Sequence, residues 1–171
     1  ISRNGDLVHR MYLQCDTGTI NKANYGHSML DNVELEIGGQ RINKHYGHWM
    51  ETWAELTERN DAGVVATSVA NMAATGANDG TYATKFQKMA AAGGVSAANV
   101  DLGLIFVPLQ FWFCRNPGLA LPLIALQYHE VKVNITLSSD YNSGTSGLSL
   151  WCDYIYLDTD ERRRFAQVSH E

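Results

Sequence analysis

Six histidines, three cysteines and a scatter of carboxylates are the residues of this 171-residue chain that could do chemistry, and their spacing decides what chemistry is open to them. The histidines are His9, His27, His45, His48, His129 and His170. His45-Tyr46-Gly47-His48 has a spacing that can ligate zinc, but no cysteine lies near it and a third ligand would have to come from far along the chain. His129-Glu130 opens like a zincin motif. Position 133 is Val rather than the second His, and the segment alternates like a strand, so two imidazoles cannot share one helical face there. Asp153, Asp158, Asp160 and Glu161 are carboxylates of the kind that glycoside or metal chemistry uses. Asp158, Asp160 and Glu161 fit a helix start better, where negative charge meets unpaired backbone N–H groups. Cys15, Cys114 and Cys152 lie 99 and 38 residues apart, which is neither a disulfide framework nor a zinc pair. Cys114 and Cys152 fall in strand patterns, where a buried small hydrophobe is the default. Arg162-Arg163-Arg164 is the one basic cluster. On a helical turn its side chains splay and pair with acids or a partner subunit. Asn134-Ile135-Thr136 fits the glycosylation pattern, and no phosphate-cradling glycine motif is present. The residue types therefore assign no catalytic, cofactor-binding or metal-binding residue, and no cofactor.

The elements around these residues are mostly strands. Leu7–Cys15 alternates, with Leu7, Met11, Leu13 and Cys15 on one face. Val33–Ile37 alternates more cleanly, and Gly38-Gly39 before Gln40–Asn43 reads as a two-residue hairpin, because both turn positions can take positive φ. From Gly47 to Arg59 the period becomes helical. Trp49, Met50, Trp53 and Leu56 share one face, and Glu51, Glu55 and Glu58 face away. Leu104–Phe113 is apolar on both faces and reads as a strand buried on two sides, with Pro108 favouring an edge, a bulge or a break. Asn116-Pro117-Gly118 is a turn. Val131, Val133, Ile135 and Leu137 alternate with Lys132, Asn134 and Thr136, and Leu148–Leu157 is the last long strand. Asp158 can cap a helical turn after it, with Glu161 three residues on. Residues 61–102 are rich in Ala and Gly and carry no sustained period, so a long variable loop insertion with fragments of helix is expected. The sum is an all-β sandwich or barrel with one amphipathic helix.

Composition narrows the function. Net charge is −5, from 13 Lys and Arg against 18 Asp and Glu, so the overall balance supplies no basic face for a strong non-specific grip on nucleic acid, and no specific nucleic-acid partner is expected. The longest nearly apolar run, Leu102–Cys114, is 13 residues long. A bilayer span needs about 20, so no membrane span is expected. The chain begins Ile1-Ser2-Arg3 without an initiating Met or a signal segment, and is expected to be part of something longer.

Three long segments carry a resemblance. Asn32-Val33-Glu34-Leu35-Glu36-Ile37-Gly38-Gly39-Gln40-Arg41-Ile42 is the first. Phe111-Trp112-Phe113-Cys114-Arg115-Asn116-Pro117-Gly118-Leu119-Ala120-Leu121-Pro122, continuing to Val131, is the second. Trp151-Cys152-Asp153-Tyr154-Ile155-Tyr156-Leu157-Asp158, continuing through the arginines to Gln167, is the third. In sequence, order and spacing they resemble the major capsid proteins of large nucleocytoplasmic DNA viruses, of the algal-virus, iridovirus and mimivirus-like branch. Outside about residues 62–99 the resemblance covers nearly the whole chain.

The resemblance implies an incomplete N-terminal jelly roll of a double jelly-roll capsid protein, with residues 1–171 as a partial first domain and 61–102 as its variable insertion. It implies a structural, non-enzymatic protein of an icosahedral capsid. The full-length form would be a homotrimer, a pseudo-hexagonal capsomer meeting neighbouring capsomers and minor capsid proteins. The expected location is the virion shell, assembled in the cytoplasm of the infected cell. The rival readings on fold analogy are a jelly-roll carbohydrate-binding module, with Trp151 and Tyr154 as its aromatic residues, and a cupin-like enzyme, which would need converging His and carboxylate ligands.

Overall fold

The computed structural model describes residues 1–59, 84–95, 100–101, 103–142 and 147–167. Its first sheet is organised on β1 (Leu7–Asp16), where Met11, Leu13 and Cys15 are buried and Arg10 points to solvent. Three segments pair with β1, all antiparallel. β6 (Leu104–Pro108) runs from Tyr12 opposite Pro108 to Asp16 opposite Leu104. β7 (Leu121–Pro122) meets Leu7 and Val8. β9 (Ser149–Ile155) runs from Leu7 opposite Ile155 to Gln14 opposite Ser149, with a register shift between Val8 and Met11. The second sheet has β3 (Leu30–Ile37) between β4 (Gln40–Tyr46) and β8 (Val131–Leu137). The β3–β4 hairpin turns on Gly38 and Gly39, at φ 58° and 85°, the left-handed pair that a two-residue turn requires. A short pair, β2 (Thr19–Ile20) with β5 (Val100–Asp101), completes the strands.

The inner faces of the two larger sheets share one hydrophobic core. Val8, Met11 and Leu13 enter it from β1, Ile105 and Val107 from β6, Val33 and Leu35 from β3 and Val131 from β8. Phe111 and Phe113 stack inside it at 5.4 Å between ring centroids. Ile37, Val133 and Ile135 pack against its rim, whereas Leu137 at the end of β8 is exposed. The period-two expectation holds over most of these positions and fails at the last.

The all-β expectation with one helix, and with it the jelly roll, is corrected by the structure. The described residues form a mixed fold with five α-helices: α1 (Tyr25–Ser28), α2 (Gly47–Thr57), α3 (Lys85–Ala90), α4 (Trp112–Arg115) and α5 (Thr159–Gln167). A 3₁₀ turn spans Pro117–Leu119. Among the described residues the sheets are open, and none closes into a barrel. Two physical reasons stand out. Pro108 offers no N–H to extend the ladder, so the strand expected to reach Phe113 stops there and the chain coils into α4. Thr84 and Gln87 form a reciprocal capping box that starts α3 inside the Ala/Gly-rich insertion. Of that insertion, residues 61–83, 96–99 and position 102 lie outside the described residues.

Helix α2 also differs from its sequence reading. Met50 and Ala54 are buried and Trp49 and Trp53 half-buried, as an amphipathic face requires. Leu56 is 76% exposed, however, and Glu51 turns inward. Arg115 of α4 lies over both indoles, 4.3 Å from the Trp53 ring and 5.1 Å from Trp49, and so pins α2 to the segment after β6.

Candidate functional site

The residues that could do chemistry are scattered by the fold. His45 and His48 diverge at the junction of β4 and α2: His45 is buried and His48 is exposed. His45 packs edge-on against Phe111 at 4.7 Å and lies 5.8 Å from Trp49, and neither of its ring nitrogens has a hydrogen-bond partner among the described residues. Burial, then the nearby Arg115 and His27, lower its pKa to about 4. His9 is tied to the Phe113 carbonyl through Nδ1 at 2.8 Å, so Nδ1 carries the proton. His129 is exposed beside the β3–β4 turn, and Val133 packs at the core rim. His170 lies outside the described residues.

The carboxylates separate in the same way. Asp158 caps α5 by accepting from the Glu161 N–H at 2.9 Å, with Asp160 and Glu161 in the first turn, as the capping pattern predicts. Asp153 is exposed on β9. Of the basic cluster, Arg162 binds Asp6 through Nε and Nη2, both at 2.9 Å, while Arg163 and Arg164 are exposed. The Leu157 N–H, against a smaller cost of burial, and Arg162 together hold the Asp6 carboxyl below its ordinary range. Cys15 is buried, and burial pushes the Cys114 thiol up to about 12 and raises Cys152 as well, so neither of these two behaves as a nucleophile. Asn134 stands on the exposed face of β8 and donates to Glu36 at 3.3 Å. Among the described residues no group of three or more His, Cys, Asp or Glu side chains is arranged to hold a metal. The converging ligands that a cupin-like centre needs are not assembled there.

Sequence reasoning missed the most connected polar cluster. Glu51 of α2 accepts from His27 Nδ1 at 2.6 Å, from the Gly93 N–H at 3.1 Å and from the Gly94 N–H at 2.7 Å. Asn24 Oδ1 accepts from the Gly94 and Val95 N–H groups at 3.0 and 2.6 Å. These bonds dock the segment after α3 onto α1 and α2. Burial pushes the Glu51 carboxyl up, and the hydrogen bonds from His27, Gly93 and Gly94 outweigh it, so its pKa lies below the ordinary carboxylate value. A cleft of about 600 Å³ opens beside it, lined by His27, Glu51, Asp31, His48, Trp49 and Asp140 among others.

The surface is the more informative feature. Trp151, 58% exposed, stands opposite Tyr12, which stands opposite Pro108, so one cross-strand row of rings lies on the outer face of the first sheet. Trp151 donates its indole N–H to Gln14. Tyr154, the other aromatic of the carbohydrate-binding reading, is half-buried with its hydroxyl donating to the Ser2 carbonyl at 2.7 Å. It borders a cleft of about 410 Å³ lined by Val133 of β8 and by Leu150 and Cys152 of β9, where the two open sheets gape. Tyr128 is 93% exposed on a turn that Arg3 braces by donating to the Leu126, Gln127 and His129 carbonyls. No helix among the described residues is long and apolar enough to cross a membrane.

Comparison with known proteins places this arrangement. Residues 1–158 match the family model described as the major capsid protein N-terminus. The major capsid protein of Pyramimonas orientalis virus is 48% identical over 186 residues, covering 100% of this chain and 42% of the relative. That of Phaeocystis pouchetii virus is 40% identical, covering 100% of this chain and 40% of the relative. A chain of the quasi-atomic model of the PBCV-1 virus capsid superposes with a TM-score of 0.71 at 38% identity, over 99% of this chain and 40% of that one. The chain thus spans about two fifths of the length of the relatives it matches. It belongs to the major capsid protein family of large nucleocytoplasmic DNA viruses.

Proposed function

We propose that this chain is a structural part of the shell of an icosahedral virus, with a mechanical rather than a catalytic role. The observation that carries this reading is the identity of 48% with a major capsid protein across the whole chain. The surface agrees with it: Trp151, Tyr128, Tyr156 and Leu119 are exposed, and aromatic side chains at the surface favour subunit contacts. The scattered histidines and carboxylates and the raised thiols support the non-enzymatic side of the reading.

In the finer reading the intact protein is a homotrimer that acts as a pseudo-hexagonal capsomer, meets neighbouring capsomers and minor capsid proteins, and is assembled in the cytoplasm of the infected cell. Residues 1–171 serve as one domain of it, with 61–102 as the insertion that varies. Sedimentation velocity and electron microscopy of the intact protein test this. A trimer that tiles into hexagonal arrays is the expected result, and a monomer that forms no ordered contact overturns it. Mass spectrometry of purified virions tests the location, and absence of the chain from them counts against a shell role.

A further inference from the structure

We propose that His45 makes the junction between β4 and α2 an acid-sensitive catch, which holds α2 on the second sheet at neutral pH and releases it when the imidazole takes a proton. This is independent of the shell reading. His45 lies across the register from Val33 on β3, the middle strand of the second sheet, and is 5% exposed. Its ring is boxed by Phe111 from the segment after β6 and Trp49 from the first turn of α2. Both nitrogens are buried without a partner among the described residues. Neutral imidazole leaves one donor and one acceptor unmet in this box. Imidazolium would place two donors and a full charge there, which is far more costly.

The surrounding charges make the cost greater. From α4, Arg115 reaches over Trp49 and Trp53 and adds positive charge on the far side of the indole wall. From α1, His27 faces the same region, with Glu51 of α2 bonded to its Nδ1. On β4 itself Lys44 is engaged by Glu34 of β3 at 3.0 Å, and Tyr46 is exposed. No carboxylate among the described residues bonds His45 to accept its proton.

Opening the box is therefore the way a proton is accommodated. Because Trp49 belongs to α2, the opening loosens that helix, and Glu51 carries the docked 93–95 segment with it. The sign follows from the folded imidazole binding its proton less tightly than the unfolded one. With pKa values of about 4 folded and 6.5 unfolded, stability is full above about pH 6.5, is lost as pH falls, and levels off below about pH 4. Between pH 7 and pH 5 the folded-to-open ratio falls by about twentyfold from this group alone.

The test uses the intact protein, in urea denaturation at pH 7, 6 and 5, for wild type, His45→Phe and the exposed-site control His48→Ala. The expected result is that His45→Phe removes about a twentyfold share of the acid loss and His48→Ala removes none. Parallel pH profiles for wild type and His45→Phe overturn the catch. Should His45→Phe not fold, hydrogen exchange of the wild type decides, corrected for intrinsic rates at pH 7 and pH 5. Selective loss of protection in 47–57 and 93–95 supports the catch, and uniform loss or none across the chain overturns it.

Discussion

Removing the Glu51 carboxylate should undock the segment that follows α3 while leaving both large sheets intact. In Glu51→Ala, the Gly93 N–H and His27 Nδ1 lose the partner that the carboxylate supplied, while the Gly94 N–H keeps Asn24 Oδ1 at 3.0 Å. Two groups are thus left needing new partners. Each buried orphan costs about 1–3 kcal/mol, and hydrogen bonds to a charged group sit at the upper end. The Glu51 side chain is 25% exposed, so water reaches part of the cluster and the lower half of the range applies. The expected loss is about 2–4 kcal/mol for Glu51→Ala and about 1–2 kcal/mol for Glu51→Gln, which keeps one acceptor oxygen. Glu55→Ala, on the exposed face of the same helix, should change stability by less than about 0.5 kcal/mol. Hydrogen exchange of the intact protein reads the effect at the Gly93, Gly94 and Val95 amides, and urea denaturation reads its global share. Because the Glu51 pKa is lowered in the folded state, its contribution is present above the unfolded value of 4.5 and is lost as pH falls below it. Unchanged exchange at 93–95 in Glu51→Ala, with stability within about 0.5 kcal/mol of wild type, would refute the reasoning.

Two further expectations rest on other contacts. A Cβ at Gly47 would collide with the backbone carbonyl oxygens of His27 and Leu30, so Gly47→Ala should cost about 3 kcal/mol or more, whereas Gly39→Ala meets open space and should cost only the strain of a positive φ, about 1–2 kcal/mol. Equal thermal shifts for the two would count against the close approach at α2. Arg115→Ala should destabilise by about 1–2 kcal/mol and alter tryptophan emission through the loss of its place over Trp49 and Trp53, with Arg115→Lys intermediate; emission and stability unchanged in Arg115→Ala would exclude the stacking as a support of α2.

Much of the β framework was legible in the residues. The alternation of Val33–Ile37 and the Gly38-Gly39 pair mark a hairpin that the structure contains, with Ile37 opposite Gln40 and Glu36 opposite Arg41 before a register shift at Leu35 that the alternation does not announce, and Asp158 with Glu161 marks the start of α5. What failed were decisions that only tertiary partners make. Glu51 reads as solvent-facing because its own helix offers it nothing, yet the Gly93 and Gly94 N–H groups, forty residues away, need an acceptor. Leu56 reads as core because it lies at helical spacing from Trp49 and Trp53, but among the described residues it is left exposed at the last turn of α2. Two signals were present and outweighed. Thr84 and Gln87 have capping-box spacing, lost among the alanines and glycines around them, and Pro108 marks the break that α4 follows. His45 lies beyond the Gln40–Asn43 strand expected from sequence, yet the structure carries β4 on to Tyr46 and buries it. From sequence it reads as ordinary polar surface or a helix start, and only the packing of Phe111 and Trp49 around it reveals a box of aromatic rings.

The pairing of β1 with β9 has a consequence in time. Leu7 and Ser149, in adjacent strands, are separated by 142 positions of sequence, so β1 leaves the ribosome long before its partner exists. At about 5–20 residues per second, β1 waits roughly 7–30 s for β9 to be made, with β6 arriving on its other flank partway through. Closing a loop of that length carries an entropy cost that rises with the logarithm of its length, and contacts between residues distant in sequence lower the folding rate. Until β6 emerges, Leu13 and Cys15 have no strand beside them, and until β9 emerges one flank of β1 stays unpaired. The yield of folded chain should therefore respond to the pace of translation as well as to the stability of the finished fold.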